Sequence, residues 1–119
     1  MAAGLLASTP VHAASYVYGP SIDDVQPYGE VGYNTSSVSA YTRHKIHIYK
    51  SVNLTAYASY YGNYCCYGTD SDAGTDSNIR GANVDIMSPF VAIGGKAAHS
   101  VKKSNTEKWN GNTEIGYYD

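Results

Sequence analysis

His44-Lys45-Ile46-His47-Ile48-Tyr49-Lys50-Ser51-Val52-Asn53-Leu54-Thr55-Ala56-Tyr57-Ala58-Ser59-Tyr60 alternates with a period of two. The even positions hold His44, Ile46, Ile48, Lys50, Val52, Leu54, Ala56, Ala58 and Tyr60. The odd positions hold Lys45, His47, Tyr49, Ser51, Asn53, Thr55, Tyr57 and Ser59. Successive side chains leave a strand on opposite faces, so this pattern predicts one buried and one wet sheet face. A single straight strand of this length would span roughly 55 Å, well beyond the usual run. A two-residue hairpin at its centre would exchange the even and odd faces, and the faces do not exchange. A strand bent near Tyr49-Lys50-Ser51, where Lys50 falls on the apolar face, or an odd-length loop satisfies both constraints, and the lack of Gly, Asn or Asp between His44 and Val52 favours the bend.

Turn signals divide the rest of the chain. The extended segment 14–28, with Pro20 and Pro27, reads as an arm or edge strand, because proline cannot donate to a central ladder. Residues 30–42 read as a core strand broken near Asn34-Thr35-Ser36-Ser37. Residues 62–78, rich in Gly, Asp, Ser and Thr, read as a loop. Alternation resumes over 79–87 and stops at Ser88-Pro89. Residues 90–93 form a short apolar segment, Gly94-Gly95 reads as a turn, and 97–103 reads as a strand. Asn110-Gly111 carries the strongest hairpin signal, with a last strand over 113–118. A three-residue loop there would set Lys108 against Glu114, and a two-residue loop would set Glu107 against Glu114. No apolar face recurs at helical spacing. The expected fold is all-β, a small antiparallel β-sandwich or partly open barrel of about six or seven strands.

The chain has 119 residues, enough for one domain. Residues 1–13 resemble the tail of a secretion signal: an apolar run with Leu5 and Leu6, a Ser8-Thr9-Pro10 break, then Val11-His12-Ala13 at a cleavage-type site. The expectation is a leader remnant over 1–13, an arm over 14–28, a β domain over 29–119, and a secreted, extracellular protein. No segment is long and apolar enough for a helical membrane span.

Charged residues make up 15% of the chain and the formal net charge is −2. That balance gives no basic surface for nucleic acid, which needs clustered Lys and Arg to neutralise phosphates. Thirteen tyrosines against one Phe and one Trp predict a core of Val, Ile and Ala completed by tyrosine rings. Each ring keeps a hydroxyl that needs a partner or water.

Few residues suggest chemistry. Cys65 and Cys66 are adjacent and are the only cysteines. Adjacent Cα atoms lie closer than an unstrained disulfide prefers. A strained vicinal ring, bonds to a second chain, and two free thiols all stay open. Their tyrosine-rich flanks carry no charge to lower a thiol pKa. His44 and His47 differ in parity, so one strand cannot aim both at one zinc ion. Asp70, Asp72 and Asp76 form an oxygen-rich cluster that reads as a solvated turn, or as a weak Ca²⁺ site without EF-hand spacing. Ser residues with His99 and Asp85 could assemble a triad, and Glu30, Glu107, Glu114 and Asp85 offer carboxylate pairs, but no spacing singles out a set. The expectation is therefore a protein that is not an enzyme and holds no cofactor beyond that weak Ca²⁺.

The wet stripe of His47, Tyr49, Asn53, Thr55, Tyr57 and Tyr61 is the candidate binding surface. Flat rings stack and amides orient, as a glycan or protein partner requires. The expected function is a small exported protein acting by surface interaction, as a cell-surface, matrix or filament component, with self-association as one route. The alternative is a bacteriocin-like antimicrobial or toxin acting on a competitor's envelope.

Overall fold

The computed structural model describes residues 13–61 and 63–116, without the side chains of Ala13 and residues 63–65. The leader-like segment 1–12 lies outside the described residues. Eight strands are present among those described: β1 Ala13–Tyr18, β2 Tyr28–Asn34, β3 Ser37–Arg43, β4 Tyr49–Tyr60, β5 Asn63–Gly74, β6 Ile79–Asp85, β7 Val91–Lys102 and β8 Lys108–Gly116. They form two antiparallel sheets, β1-β2-β3-β6 and β5-β4-β7-β8. The sheets pack as a β-sandwich measuring 47 × 27 × 19 Å. The fold class is as expected, with more strands than the turn signals suggested.

Parity holds where β4 is regular. Lys50, Val52, Leu54, Ala56 and Ala58 are buried, and the odd positions between them are half-buried or exposed. The strand starts at Tyr49, however, and His44–Ile48 lies outside it. Hydrogen bonding explains the early break. The buried His44 ring bonds the Ile22 and Val25 carbonyls through Nε2. Its Nδ1 accepts from the Ile46 amide. The segment is thus held by its own side chains rather than by a ladder.

Three other expectations are corrected. The stretch read as a loop over 62–78 is mostly strand β5, paired with β4 from Lys50↔Gly74 to Tyr60↔Asn63. Its Asp, Asn and Gly residues are weak strand formers, but tertiary pairing overrides that preference. Gly94-Gly95 is not a turn. Both residues lie inside β7, where the register against β4 shifts between Tyr57 and Ala58, a bulge that the glycines accommodate. Asn110-Gly111 is not a hairpin tip either. The β7–β8 turn lies at 103–107, where the amides of Lys103 and Ser104 both donate to the Glu107 carbonyl. Glu114 therefore faces Lys96, and Lys108 faces Lys102.

The core divides in two. Val31, Val38, Ala40, Val52, Leu54, Ala56, Ala58, Ala82, Ile86, Ala92 and Ala97 form the larger cluster. Ile22, Val101 and Trp109 form the smaller. The inward residues of β7 run Ala97, His99, Val101, so a histidine separates the clusters. His99 is 1% exposed. Its Nδ1 lies 2.8 Å from Thr42 Oγ1 on the opposite sheet, and its Nε2 lies 2.7 Å from Thr113 Oγ1. Thr42 donates its own proton to the Ser51 carbonyl, so its oxygen accepts from Nδ1–H. The neutral ring then accepts at Nε2 from the Thr113 hydroxyl. Every polar atom of this bridge has a partner, which is what a buried polar group requires.

Candidate functional site

The outer face of β5-β4-β7-β8 is built from short polar side chains in cross-strand rows. One row is Thr69, Thr55, Lys96 and Glu114; the next is Ser71, Asn53, Ala98 and Asn112; a third is Ala73, Ser51, Ser100 and Asn110. Lys96 and Glu114, which face each other, are the long side chains of these rows; the rest are short, and a shallow groove results. One part, about 460 Å³, is lined by Asn53, Thr55, Lys96, Ala98, Asn112 and Glu114 among others. It continues past Ser51, Ser100 and Asn110. The side chains of Asn53, Thr55, Asn110 and Asn112 make no hydrogen bond within the described chain. Their donors and acceptors face outward.

The structure brings four residues of the expected stripe onto this face. Asn53 and Thr55 line the groove, and Tyr49 and Tyr57 stand at its two ends along β4. His47 lies off the strand, beside Tyr49, Lys102 and Lys103 in a separate depression. Tyr61 leaves the face altogether. It is a turn residue with φ of 51°, and it is 87% exposed at the end of the sandwich. The sequence places a strand over 97–103 but gives it no neighbour, and a turn at Asn110-Gly111 takes Asn110 and Asn112 off the last strand, so the β7 and β8 side of the groove is absent from the expected stripe. The alternation of Lys96, Ala98, Ser100 and Lys102, and of Asn110, Asn112 and Glu114, was the available signal.

The Asp cluster has a structural task. β6 pairs with β3 on one side only. On its other side the Asn83 amide donates to Asp70 Oδ2 at 3.0 Å, and the Gly81 amide donates to Asp72 Oδ2 at 3.4 Å. Carboxylates two residues apart match the two-residue repeat of free amides on an edge strand. They occupy groups that would otherwise be open to another strand. Arg80 lies between Asp72, at 3.7 Å, and Asp76. Among the described residues no three His, Cys, Asp or Glu side chains come together as a metal site. Replacing both Asp70 and Asp72 with Ala is expected to lower stability by about 1–3 kcal/mol and to produce concentration-dependent association through the uncovered β6 edge. Urea unfolding and light scattering measure both effects. The Asp70→Asn variant, which keeps an acceptor, should show none of this added association.

The remaining candidates are dispersed. Cys66 is a free, exposed thiol beside Tyr57; the Cys65 side chain lies outside the described residues. His99 bonds two threonines, while Asp85 accepts from Asn83. Glu30 accepts from Arg43 at 3.1 Å. This pair sits on the outer face of β1-β2-β3-β6, with the Arg43 guanidinium 5.9 Å from the Tyr28 ring and 5.6 Å from the Tyr41 ring. Tyr28 stacks on Tyr18 at 5.2 Å. Burial raises the pKa of both Tyr28 and Tyr41, so both stay neutral hydroxyls.

Lys50 is fully buried on the inner face. Its Nζ donates to the carbonyls of Ile46, Ile48 and Ser77 at 2.7–2.9 Å. Burial, reinforced by the Arg80 charge, lowers its pKa to about 8. The ammonium is still the major form at neutral pH and its three protons match three acceptors.

No family model, curated protein or solved structure matches this chain.

Proposed function

We propose that this is a small exported, non-enzymatic domain that acts by surface interaction, binding an extended neutral glycan along the outer face of β4, β7 and β8. One observation carries the reading: the unengaged amides and hydroxyls of Asn53, Thr55, Asn110 and Asn112 lie together in an open groove. Amides supply both a donor and an acceptor, as a chain of sugar hydroxyls requires. Tyr49 and Tyr57 add flat rings at the two ends, suited to stacking on the apolar face of a sugar ring. Export is supported by the leader-like sequence of residues 1–13.

The test is a titration of ¹⁵N-labelled protein with neutral oligosaccharides, including N-acetylhexosamine chains. Amide shifts are expected to cluster on β4, β7 and β8. The Asn53→Arg, Ala98→Glu double variant fills the groove from exposed positions with opposite charges on facing residues, and should weaken binding at least tenfold with unchanged thermal stability. Shifts that ignore this double variant, or no shifts with any glycan of the panel, would overturn the reading.

A further inference from the structure

Asn110-Gly111-Asn112, which is not a turn, sits at the centre of β8. Around it the strand reads Lys108-Trp109-Asn110-Gly111-Asn112-Thr113-Glu114. Asn110 and Asn112 flank Gly111 symmetrically. Lys108 and Glu114 stand farther out on either side, with opposite charge. These four side chains share the outer face of the sheet, and all are exposed.

β8 is also an edge strand. It pairs with β7 alone, and among the described residues no backbone hydrogen bond reaches its other side. The opposite flank of the sandwich differs, because there Asp70 and Asp72 occupy the edge amides of β6. The charges of β8 also lack answers within the chain. Lys108 faces Lys102, and like charges set directly opposite destabilise a sheet. Among the described residues neither lysine makes an ion pair, and Glu114 makes none although it faces Lys96.

We propose that β8 pairs antiparallel with β8 of a second copy, about a two-fold axis at Gly111. Charge complementarity selects both the occupant and the register. With the axis at Gly111, Lys108 faces the partner's Glu114 and Glu114 faces the partner's Lys108, and opposite charges across a strand pair are stabilising. Asn110 meets the partner's Asn112 in the same way. Moving the axis to Asn110 or Asn112 sets Lys108 against the partner's Asn112 or the partner's Gly116, and both charge pairs are lost. A lone lysine on an edge keeps other strands away; here the same strand carries the answering carboxylate at the symmetric position, as a self-complementary two-fold contact requires. β1, which packs across from β8 in the other sheet, holds only Ala, Ser, Tyr and Val and brings no charge to this flank. The product is one sheet of eight strands with the two grooves side by side. The contact uses the edge of β8, so it stands or falls independently of what the grooves bind.

The test is sedimentation equilibrium of the full chain, with its cysteines reduced, over a micromolar to millimolar series. The wild type is expected to dimerise. Lys108→Glu and Glu114→Lys each make both charge pairs repulsive, and each should dimerise at least tenfold more weakly. Both positions are exposed, and a melting temperature measured on dilute protein checks that the variants fold. Mixed in equal amounts, the two variants carry complementary edges and should form a heterodimer at least tenfold more tightly than either pairs with itself. Three results would overturn the proposal. They are a wild type that stays monomeric, as when another segment of the chain fills the edge; a dimer indifferent to both variants, as when copies meet elsewhere; and a mixture that associates no better than its components.

Discussion

At pH 4 the fold should be about 3 kcal/mol less stable than at pH 7 through His99 alone. Burial lowers the folded-state pKa of this histidine to about 4, against about 6.5 in the unfolded chain. Between those values the unfolded state binds a proton that the folded state refuses, so stability falls as pH falls. Above 6.5 both states are neutral and the effect vanishes; below 4 both are charged and the loss is complete. Structure explains the refusal. The ring sits between two sheets, donates to Thr42 and accepts from Thr113, and no carboxylate touches it. Protonation turns the accepting Nε2 into a donor facing a hydroxyl that must then reverse. Denaturant unfolding at pH 7, 5 and 4 measures the slope. His99→Asn should be less stable at pH 7 but should lose about 3 kcal/mol less on acidification. An equal acid loss in both proteins would refute the assignment.

Gly29→Ala should cost about 3–5 kcal/mol. A Cβ at Gly29 would stand 2.3–2.4 Å from the His99 ring atoms. The ring has no room to retreat, because it is held at both nitrogens. Overpacking typically costs 1–3 kcal/mol, and displacing the ring leaves buried hydroxyls unpaired at about 1–3 kcal/mol each. A double-mutant cycle isolates the cause. In a His99→Ala background, Gly29→Ala should cost less than about 1 kcal/mol. A cost unchanged by that background would mean that something other than the ring resists the methyl group.

These two residues also show where sequence reading stops. The alternation of β4 was legible because its even residues are Val, Leu and Ala and its odd ones are Asn, Thr and Tyr. The stripe through Asn53 and Thr55 followed directly. His99 gave no such signal, since its partners Thr42 and Thr113 are far off in sequence and the opposite sheet brings one of them in. β5 was hidden because its polar residues answer to tertiary demands. Asp70 and Asp72 face the edge of β6, a purpose that local propensity cannot express. Gly94-Gly95 and Asn110-Gly111 have strong turn chemistry, yet the long ladders of β7 with β4 and β8 hold them extended. The actual β7–β8 turn has Ser104 as its organiser: its hydroxyl accepts from the amides of Thr106 and Glu107.

The Lys50 ammonium has a mechanical meaning as well. By gripping the Ile46, Ile48 and Ser77 carbonyls at once, it fastens the 44–48 connection to the 75–78 connection, reaching a carbonyl 27 residues along the chain from Lys50 itself. Neither connection can detach without stranding a cation inside the sandwich. The two must therefore fray as one hinge, and local opening at that end of the sandwich is a single concerted event rather than two independent ones.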